Sequence, residues 1–64
     1  SDKLGYETRS ILCSPIQKEG RVFGAIELIN RKDGDSFTNK DVNILNYLTH
    51  EMAGYMVNTG IAAV

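Results

Sequence analysis

The sequence holds a single cysteine, a single histidine and a single proline among its 64 residues. One cysteine can form neither an intrachain disulfide nor a structural zinc site. No apolar run approaches the ~20 residues that a membrane-spanning helix needs, and the start of the chain lacks the charged-then-apolar pattern of a secretion signal. These absences predict a cytoplasmic chain with no membrane association and no metal site.

Neither sign of charge is in excess, since 7 basic residues stand against 8 acidic ones and the net charge is −1. The two signs are interspersed, so no basic field is available to hold nucleic acid. We therefore expect no nucleic-acid partner. The length allows one small domain at most. Because the chain begins at Ser1 rather than at methionine, we expect it to be a piece of a longer or processed protein.

Two short apolar segments predict the strands of a β-hairpin. Residues 8–16 mix apolar and polar side chains and are stopped by Pro15, which cannot donate to a central ladder. Residues 22–30 are nearly continuous in apolar side chains and too short for a typical buried helix, which predicts a strand covered on both faces. Gly20 lies between them and can adopt the positive φ of a tight turn.

A long amphipathic helix is predicted over residues 38–58. Thr38 and Asp41 have the spacing of a capping box, and Phe37 is placed to pack on the first turn. Asn58 and Gly60 are suited to a left-handed C-terminal cap. A wide apolar stripe that must face a core is formed by Val42, Ile44, Leu45, Leu48, Met52, Tyr55 and Met56. The opposite, polar face is formed by Asn43, Asn46, His50 and Asn58.

One hairpin and one helix are too little structure to cover this much apolar surface. A two-stranded sheet is marginal in isolation and leaves two open edges. We therefore expect residues 1–64 to be part of a larger domain or to gain partners by oligomerising.

No set of residues in the sequence predicts catalysis. His50 has no nucleophile or metal partner at a suitable spacing, and we interpret it as a solvated surface residue. Cys13 lies in an apolar stretch, which favours a buried structural cysteine over a reactive thiol. The glycines do not have the spacing of a phosphate-binding loop. The chain is therefore expected to be a non-enzymatic module.

Glu27 is the one ionisable residue in the middle of the second predicted strand, between Ile26 and Leu28. Alternation places it on the same face as Phe23, Ala25 and Ile29. A buried carboxylate is costly unless it receives hydrogen bonds or a proton. Two interpretations stay open: Glu27 faces solvent or pairs with a cross-strand basic residue, or it accepts hydrogen bonds from a bound ligand.

Three segments agree in order and spacing with a known family: GYETRSILCSPI at residues 5–16, GAIELINR at residues 24–31 and FTNKD at residues 37–41. Together they resemble the C-terminal half of a GAF domain, the small-molecule sensor module of cyclic-nucleotide phosphodiesterases, adenylyl cyclases and bacterial signalling proteins. The resemblance implies an α+β fold, with an antiparallel sheet that has helices on one side and a ligand pocket on the other. Residues 1–64 would then be a C-terminal hairpin and the long terminal helix of a single GAF domain.

The signature motif of that family is matched at Asn30, Phe37 and Asp41, while Arg31 occupies the lysine position and Val42 the last glutamate position. The resemblance implies that a basic residue and the aspartate pair and fix the loop before the terminal helix. An arginine fork suits a carboxylate, so Arg31 is expected to pair with Asp41. We interpret the motif as a structural lock rather than a set of ligand contacts.

Two positions match residues that contact the nucleotide in cyclic-nucleotide-binding members, namely Thr8 and Glu27. Leu4 stands where those members usually carry threonine. The resemblance implies cyclic GMP or cyclic AMP as a candidate ligand and no other cofactor.

The sequence therefore predicts a regulatory sensor module whose terminal helix relays ligand binding to an output domain such as a phosphodiesterase, a cyclase or a kinase. A homo-oligomer is expected. The alternative is a ligand-free dimerisation module, in which the helix stripe and the strand edges associate two protomers. Glu27 separates the two hypotheses, because only the sensor requires its carboxylate to have a hydrogen-bonding partner.

Overall fold

A computed structural model describes residues 10–31 and 33–64. It contains two strands, β1 (Ile11–Lys18) and β2 (Arg21–Ile29), followed by one helix, α1 (Asn39–Thr59). The strands pair antiparallel as a hairpin, and α1 packs mainly against β1. The predicted hairpin followed by a long helix, an α+β arrangement, is confirmed.

A tight turn joins the two strands at Glu19 and Gly20. Both residues have positive φ, 55° and 74° respectively. This is the backbone of a two-residue turn that matches the right-handed twist of paired strands. The predicted role of Gly20 is therefore correct, and Glu19 adopts a conformation that costs a non-glycine residue free energy.

Pro15 does not end the first strand, contrary to the sequence prediction, because β1 continues to Lys18. The reason lies in the pattern of hydrogen bonds between β1 and β2. The N–H of Asn30 donates to the carbonyl of Ser10, and in antiparallel sheets hydrogen-bonded and non-hydrogen-bonded pairs alternate. Counting from that pair, Pro15 and its partner Ala25 form a non-hydrogen-bonded pair. The missing N–H of Pro15 therefore points away from β2, and the ladder loses no bond.

A β-bulge interrupts the register near the turn. Ile16 pairs with Gly24 and Gln17 with Val22, which leaves Phe23 as the extra residue of β2. A bulge breaks the strict alternation of side chains. The alternation that places Ala25, Glu27 and Ile29 on one face therefore cannot be continued to Phe23, as the sequence prediction assumed.

Both ends of α1 carry the predicted caps. The Thr38 side chain accepts from the Asp41 N–H at 3.3 Å, and the Thr38 N–H donates to Asp41 Oδ2 at 2.8 Å, which completes a capping box. At the other end Gly60 has φ 75°, and its N–H donates to the carbonyls of Met56 and Val57. The helix bounds agree with the prediction to within one residue at each end.

The face of α1 that packs on the hairpin differs from the predicted stripe. The buried side chains of the helix are Leu45, Thr49 and Ala53, and Thr49 contacts Ser14 of β1. We call Leu45, Thr49 and Ala53 the buried row. Four of the seven residues of the predicted stripe stay exposed instead, and we call this set the outer row: Ile44, Leu48, Met52 and Tyr55.

The second strand is not covered on both faces by the part of the chain that the structure describes. Helix α1 lies over one face, and most of the side chains of β2 are exposed. Within the described residues no helix has the length and apolar character needed to cross a membrane.

Candidate functional site

Glu27 lies on the face of the hairpin that points away from α1. Its cross-strand partner is Cys13, whereas the neighbouring residue Ser14 contacts the helix. Because side chains alternate along a strand, Cys13 and Glu27 share the opposite surface. We call this surface the helix-free face. Ile11 and Ile29 form a second exposed pair on it.

The Glu27 carboxylate is exposed, and within residues 10–31 and 33–64 it has no hydrogen-bond or ion-pair partner. The cross-strand residue is a cysteine rather than the arginine or lysine considered from the sequence. In this chain Glu27 therefore faces solvent. Thr8, the other residue implied by the resemblance to contact a ligand, lies outside the described residues.

Two residues weighed as reactive groups are both exposed. Cys13 is a free, exposed cysteine, so the expectation of a buried structural cysteine is wrong. The alternation of β1 explains the error, because Ser14 and Ile16 take the helix side and Cys13 takes the other. His50 is exposed on α1, as predicted. Among the described residues no group of acidic, histidine and cysteine side chains could hold a metal ion.

Asn30 turns the chain out of β2 and ties it to the start of β1. Its φ is 55°, a left-handed conformation that asparagine tolerates better than most residues. The Asn30 N–H donates to the Ser10 carbonyl at 2.9 Å, and the Ser10 N–H donates to Asn30 Oδ1 at 3.4 Å. The N–H of Arg31 donates to Ser10 Oγ at 3.4 Å. Asn30 therefore fixes the point where the loop to α1 begins.

Arg31 links that loop to the first turn of the helix. Its Nε lies 3.4 Å from Asp41 Oδ2, and its Nη1 lies 3.2 Å from Asp33 Oδ2. The ion pair expected between Arg31 and Asp41 is thus present, with Asp33 as a further partner. Both side chains of the Arg31–Asp41 pair are partly shielded, at 33% and 24% exposure, so solvent screens the pair less than a fully exposed one.

Asp41 is the residue on which these contacts converge. The hydrogen bond from the Thr38 backbone N–H is the main cause that lowers the pKa of the Asp41 carboxyl below 3.8, and the charge of Arg31 acts in the same direction. The carboxylate is therefore held ionised. It caps α1 and carries the ion pair at the same time.

An apolar groove of about 200 Å³ lies between β2 and the first half of α1. Its lining is Ile26, Leu28, Phe37, Asp41, Ile44, Leu45 and Leu48. Ile26 and Leu28 alternate with Glu27, so the groove opens on the opposite face of the hairpin from Glu27. The groove and Glu27 are two separate features. Phe37, predicted to pack on the first turn of the helix, is half-buried at the groove.

A polar cluster that was not predicted from the sequence is formed by Ser14, Asn46 and Thr49. The one local signal for it is the position of Thr49, one helical turn from both Leu45 and Ala53. Ser14 Oγ lies 2.9 Å from Asn46 Oδ1 and 3.0 Å from Thr49 Oγ1. Ser14 and Thr49 are 4% and 3% exposed. Asn46 is exposed, as the polar face predicted from the sequence requires, and its side chain also reaches Ser14 at the edge of the packed face.

The fold and these loop contacts agree with the comparison against protein families. The family model described as the GAF domain matches residues 2–56. The chain belongs to the GAF domain family. The resemblance drawn from residues 5–16, 24–31 and 37–41 is thereby confirmed.

Two curated relatives of this GAF chain bear the names of cyclic phosphodiesterases. One is the probable 3',5'-cyclic phosphodiesterase pde-5 of Caenorhabditis elegans, 46% identical over 39 residues, or 61% of this chain. Another is the dual 3',5'-cyclic-AMP and -GMP phosphodiesterase 11A of Takifugu rubripes, 45% identical over 47 residues, or 69% of this chain. The match spans 5% of the length of each relative. No solved structure matches the chain.

Proposed function

We propose that this GAF chain is part of a regulatory domain that binds a cyclic nucleotide on the helix-free face, with Glu27 as a hydrogen-bond acceptor. The observation that carries the proposal is the position of Glu27. A carboxylate lies in the middle of a strand, among apolar side chains, on the face that α1 leaves open. Ligand sites are lined mainly by apolar side chains, with a few polar groups that orient the ligand. Thr8 is the second proposed contact.

The names of the relatives support a cyclic nucleotide as the ligand class, since both are cyclic phosphodiesterases and one carries cyclic AMP and cyclic GMP in its name. We propose a cyclic-nucleotide phosphodiesterase as the parent protein, with the catalytic activity in another part of it.

The proposed relay runs from β2 through the loop to α1. Glu27 is followed in the same strand and loop by Asn30 and Arg31, and Arg31 pairs with Asp41 in the first turn of the helix. A shift of β2 on ligand binding would therefore reach the start of α1 through a charged contact. Discrete shifts of packed helices are a common means of transmitting such a change to a neighbouring domain.

The test is a calorimetric titration of cyclic GMP and of cyclic AMP into the parent protein. We expect saturable binding of at least one nucleotide, weakened roughly tenfold or more in Glu27→Gln because the hydrogen-bond acceptor loses its charge. Glu51→Gln, which removes an exposed carboxylate from α1, is the matched control and should bind as the wild type does. Equal affinity of Glu27→Gln and wild type would contradict the assignment of Glu27, and no binding of either nucleotide would contradict the ligand class.

A second function, association of two copies, is favoured by the outer row of α1. These four apolar side chains are between 37% and 66% exposed along one side of the helix. Exposed apolar patches of this kind mark interaction surfaces. Association and ligand binding are compatible, because the outer row and the helix-free face are different surfaces.

A further inference from the structure

Two neighbouring faces of α1 could each pack against the hairpin. The buried row, Leu45, Thr49 and Ala53, includes a hydroxyl and a small methyl side chain. The outer row consists of four larger apolar side chains. Successive helical residues are about 100° apart, so a rotation of about that size would turn the outer row toward the hairpin and the buried row away from it. Burial of apolar surface alone favours the outer row, yet the structure buries the other one.

The polar cluster supplies the reason. Ser14 of β1 is 4% exposed and meets Asn46 Oδ1 at 2.9 Å and Thr49 Oγ1 at 3.0 Å. Thr49 Oγ1 also donates to the Asn46 carbonyl at 3.2 Å. No buried side-chain polar atom of the described residues lacks a hydrogen-bond partner. All the hydroxyls of this interface are therefore satisfied in the observed orientation.

The alternative orientation would not satisfy them. With the outer row against the hairpin, Ser14 would face leucine and methionine side chains, which offer no strong hydrogen-bond acceptor or donor. A buried hydroxyl without a partner is costly, and this cost opposes the gain from apolar burial.

We propose that the hydrogen-bonded cluster of Ser14, Asn46 and Thr49 selects the face of α1 that packs on the hairpin and keeps the outer row available on the surface. The cluster acts as an orienting device rather than as a source of net stability. Buried polar groups set the register of coiled coils in a comparable way. The proposal does not depend on ligand binding.

The test measures the orientation of α1 by electron paramagnetic resonance. Cys13 is the one cysteine of the 64 residues and is exposed, so it takes one spin label, and Glu51→Cys provides the second. We expect one narrow distance distribution in the otherwise wild-type chain. Adding Ser14→Ala and Thr49→Val removes the hydroxyls with little change in shape, and we expect a second maximum shifted by several ångströms.

Matched variants separate orientation from a general loss of packing. Thr59→Val removes an exposed hydroxyl that donates to the Tyr55 carbonyl, and it should keep the single distance. Thr49→Ser keeps the buried hydroxyl and should do the same. Leu48→Gln added to the Ser14→Ala and Thr49→Val chain weakens the competing outer row and should restore the single distance.

Two results would overturn the proposal. One is an unchanged single distance when Ser14 and Thr49 are both replaced, since orientation would then be set by other contacts. The other is loss of helical circular dichroism in that variant, because an orienting cluster can be removed without loss of the fold, whereas a stabilising one cannot.

Discussion

The carboxylate of Asp41 serves two neighbours, the Thr38 backbone and the Arg31 guanidinium. The first contact completes the helix cap, and the second connects the helix to the loop that follows β2. Both contacts need the ionised form for full strength. The folded chain consequently binds this proton more weakly than the unfolded chain does.

Replacing Asp41 by asparagine should change how stability depends on pH. Because the pKa of Asp41 is lowered in the folded state, its contribution is present above pH 3.8 and is lost as the pH falls below that value toward the folded pKa. We expect the melting temperature of the wild type to fall over this acid range more steeply than that of Asp41→Asn. Thermal denaturation followed by circular dichroism at a series of pH values measures the difference.

Asp35→Asn is the control for this experiment, since it removes an exposed carboxylate from the same loop. Its acid dependence should follow that of the wild type. Identical pH profiles for Asp41→Asn and the wild type would show that the cap and the ion pair do not hold the carboxylate ionised.

The cap that Asp41 makes was predictable from the sequence because it is local, whereas its pairing with Arg31 was expected from the resemblance to the GAF family. The capping box spans three residues, and its spacing can be read directly from Thr38 and Asp41. The contact of Ser14 with Thr49 spans 35 residues and was not predictable, since no local pattern pairs a strand hydroxyl with a helix hydroxyl. The environment of Glu27 likewise depends on which face of the hairpin the helix covers.

At the scale of elements, the two ends of α1 are defined by side-chain and backbone caps, and its interior carries one glycine. Gly60 is left-handed at φ 75°, whereas Gly54 lies within the helix. Among the residues that the structure describes, a Cβ added at Gly54 would meet Lys18 Nζ alone, at 3.6 Å, which is ordinary van der Waals contact. The same change at the two glycines should therefore have opposite effects.

We expect Gly60→Ala to destabilise the fold by about 1 kcal/mol, because alanine pays a steric cost in the left-handed conformation. Gly54→Ala should stabilise it by up to about 1 kcal/mol through helix propensity. Urea denaturation of both variants and the wild type measures the two shifts. Destabilisation by Gly54→Ala would mean that the helix packs more closely at Lys18 than the structure has it.

The bounds of α1 and the hairpin turn were predictable, and the orientation of the helix was not. The capping box, Gly60 and Gly20 each have a local conformational requirement that identifies them. The predicted packing face of α1 was wrong because the stripe was drawn from apolar residues alone. Thr49 lies between Leu45 and Ala53 on the helix surface, and its burial is stabilised by hydrogen bonds rather than by hydrophobicity. The predicted end of β1 was wrong because the effect of Pro15 depends on whether it lies at a hydrogen-bonded or a non-hydrogen-bonded pair of the hairpin. The sequence does not show which of the two it is.

At the scale of the whole molecule, the described chain leaves much apolar surface in contact with water. The outer row, together with Ile11 and Ile29 on the helix-free face, remains exposed, while the buried apolar side chains are Ile16, Leu45 and Ala53. A core of this size provides limited stability for a chain of 64 residues. Further burial would have to come from the rest of a larger domain or from association, the two alternatives drawn from the sequence.

We expect the 64-residue chain to associate in a concentration-dependent manner through the outer row. Analytical ultracentrifugation should show a sedimentation coefficient that rises with concentration in the micromolar range. Leu48→Gln combined with Met52→Gln should weaken association about tenfold or more, since each removes apolar contact area. His50→Gln, an exposed change on another side of α1, should leave it unaffected. A folded monomer at all concentrations would contradict this prediction.

The position of Pro15 also bears on aggregation. An exposed strand edge can template the addition of further strands, and natural proteins blunt such edges with proline. The imide nitrogen of Pro15 faces the outer edge of β1, so a strand arriving there meets a missing donor in the middle of the ladder. Near the turn, the Val22 carbonyl of β2 already accepts from the Val64 N–H at 2.8 Å. Each outer edge of the hairpin thus has one backbone group that cannot bond to an added strand, the imide nitrogen of Pro15 on β1 and the occupied carbonyl of Val22 on β2. Both features disfavour aggregation by addition of strands.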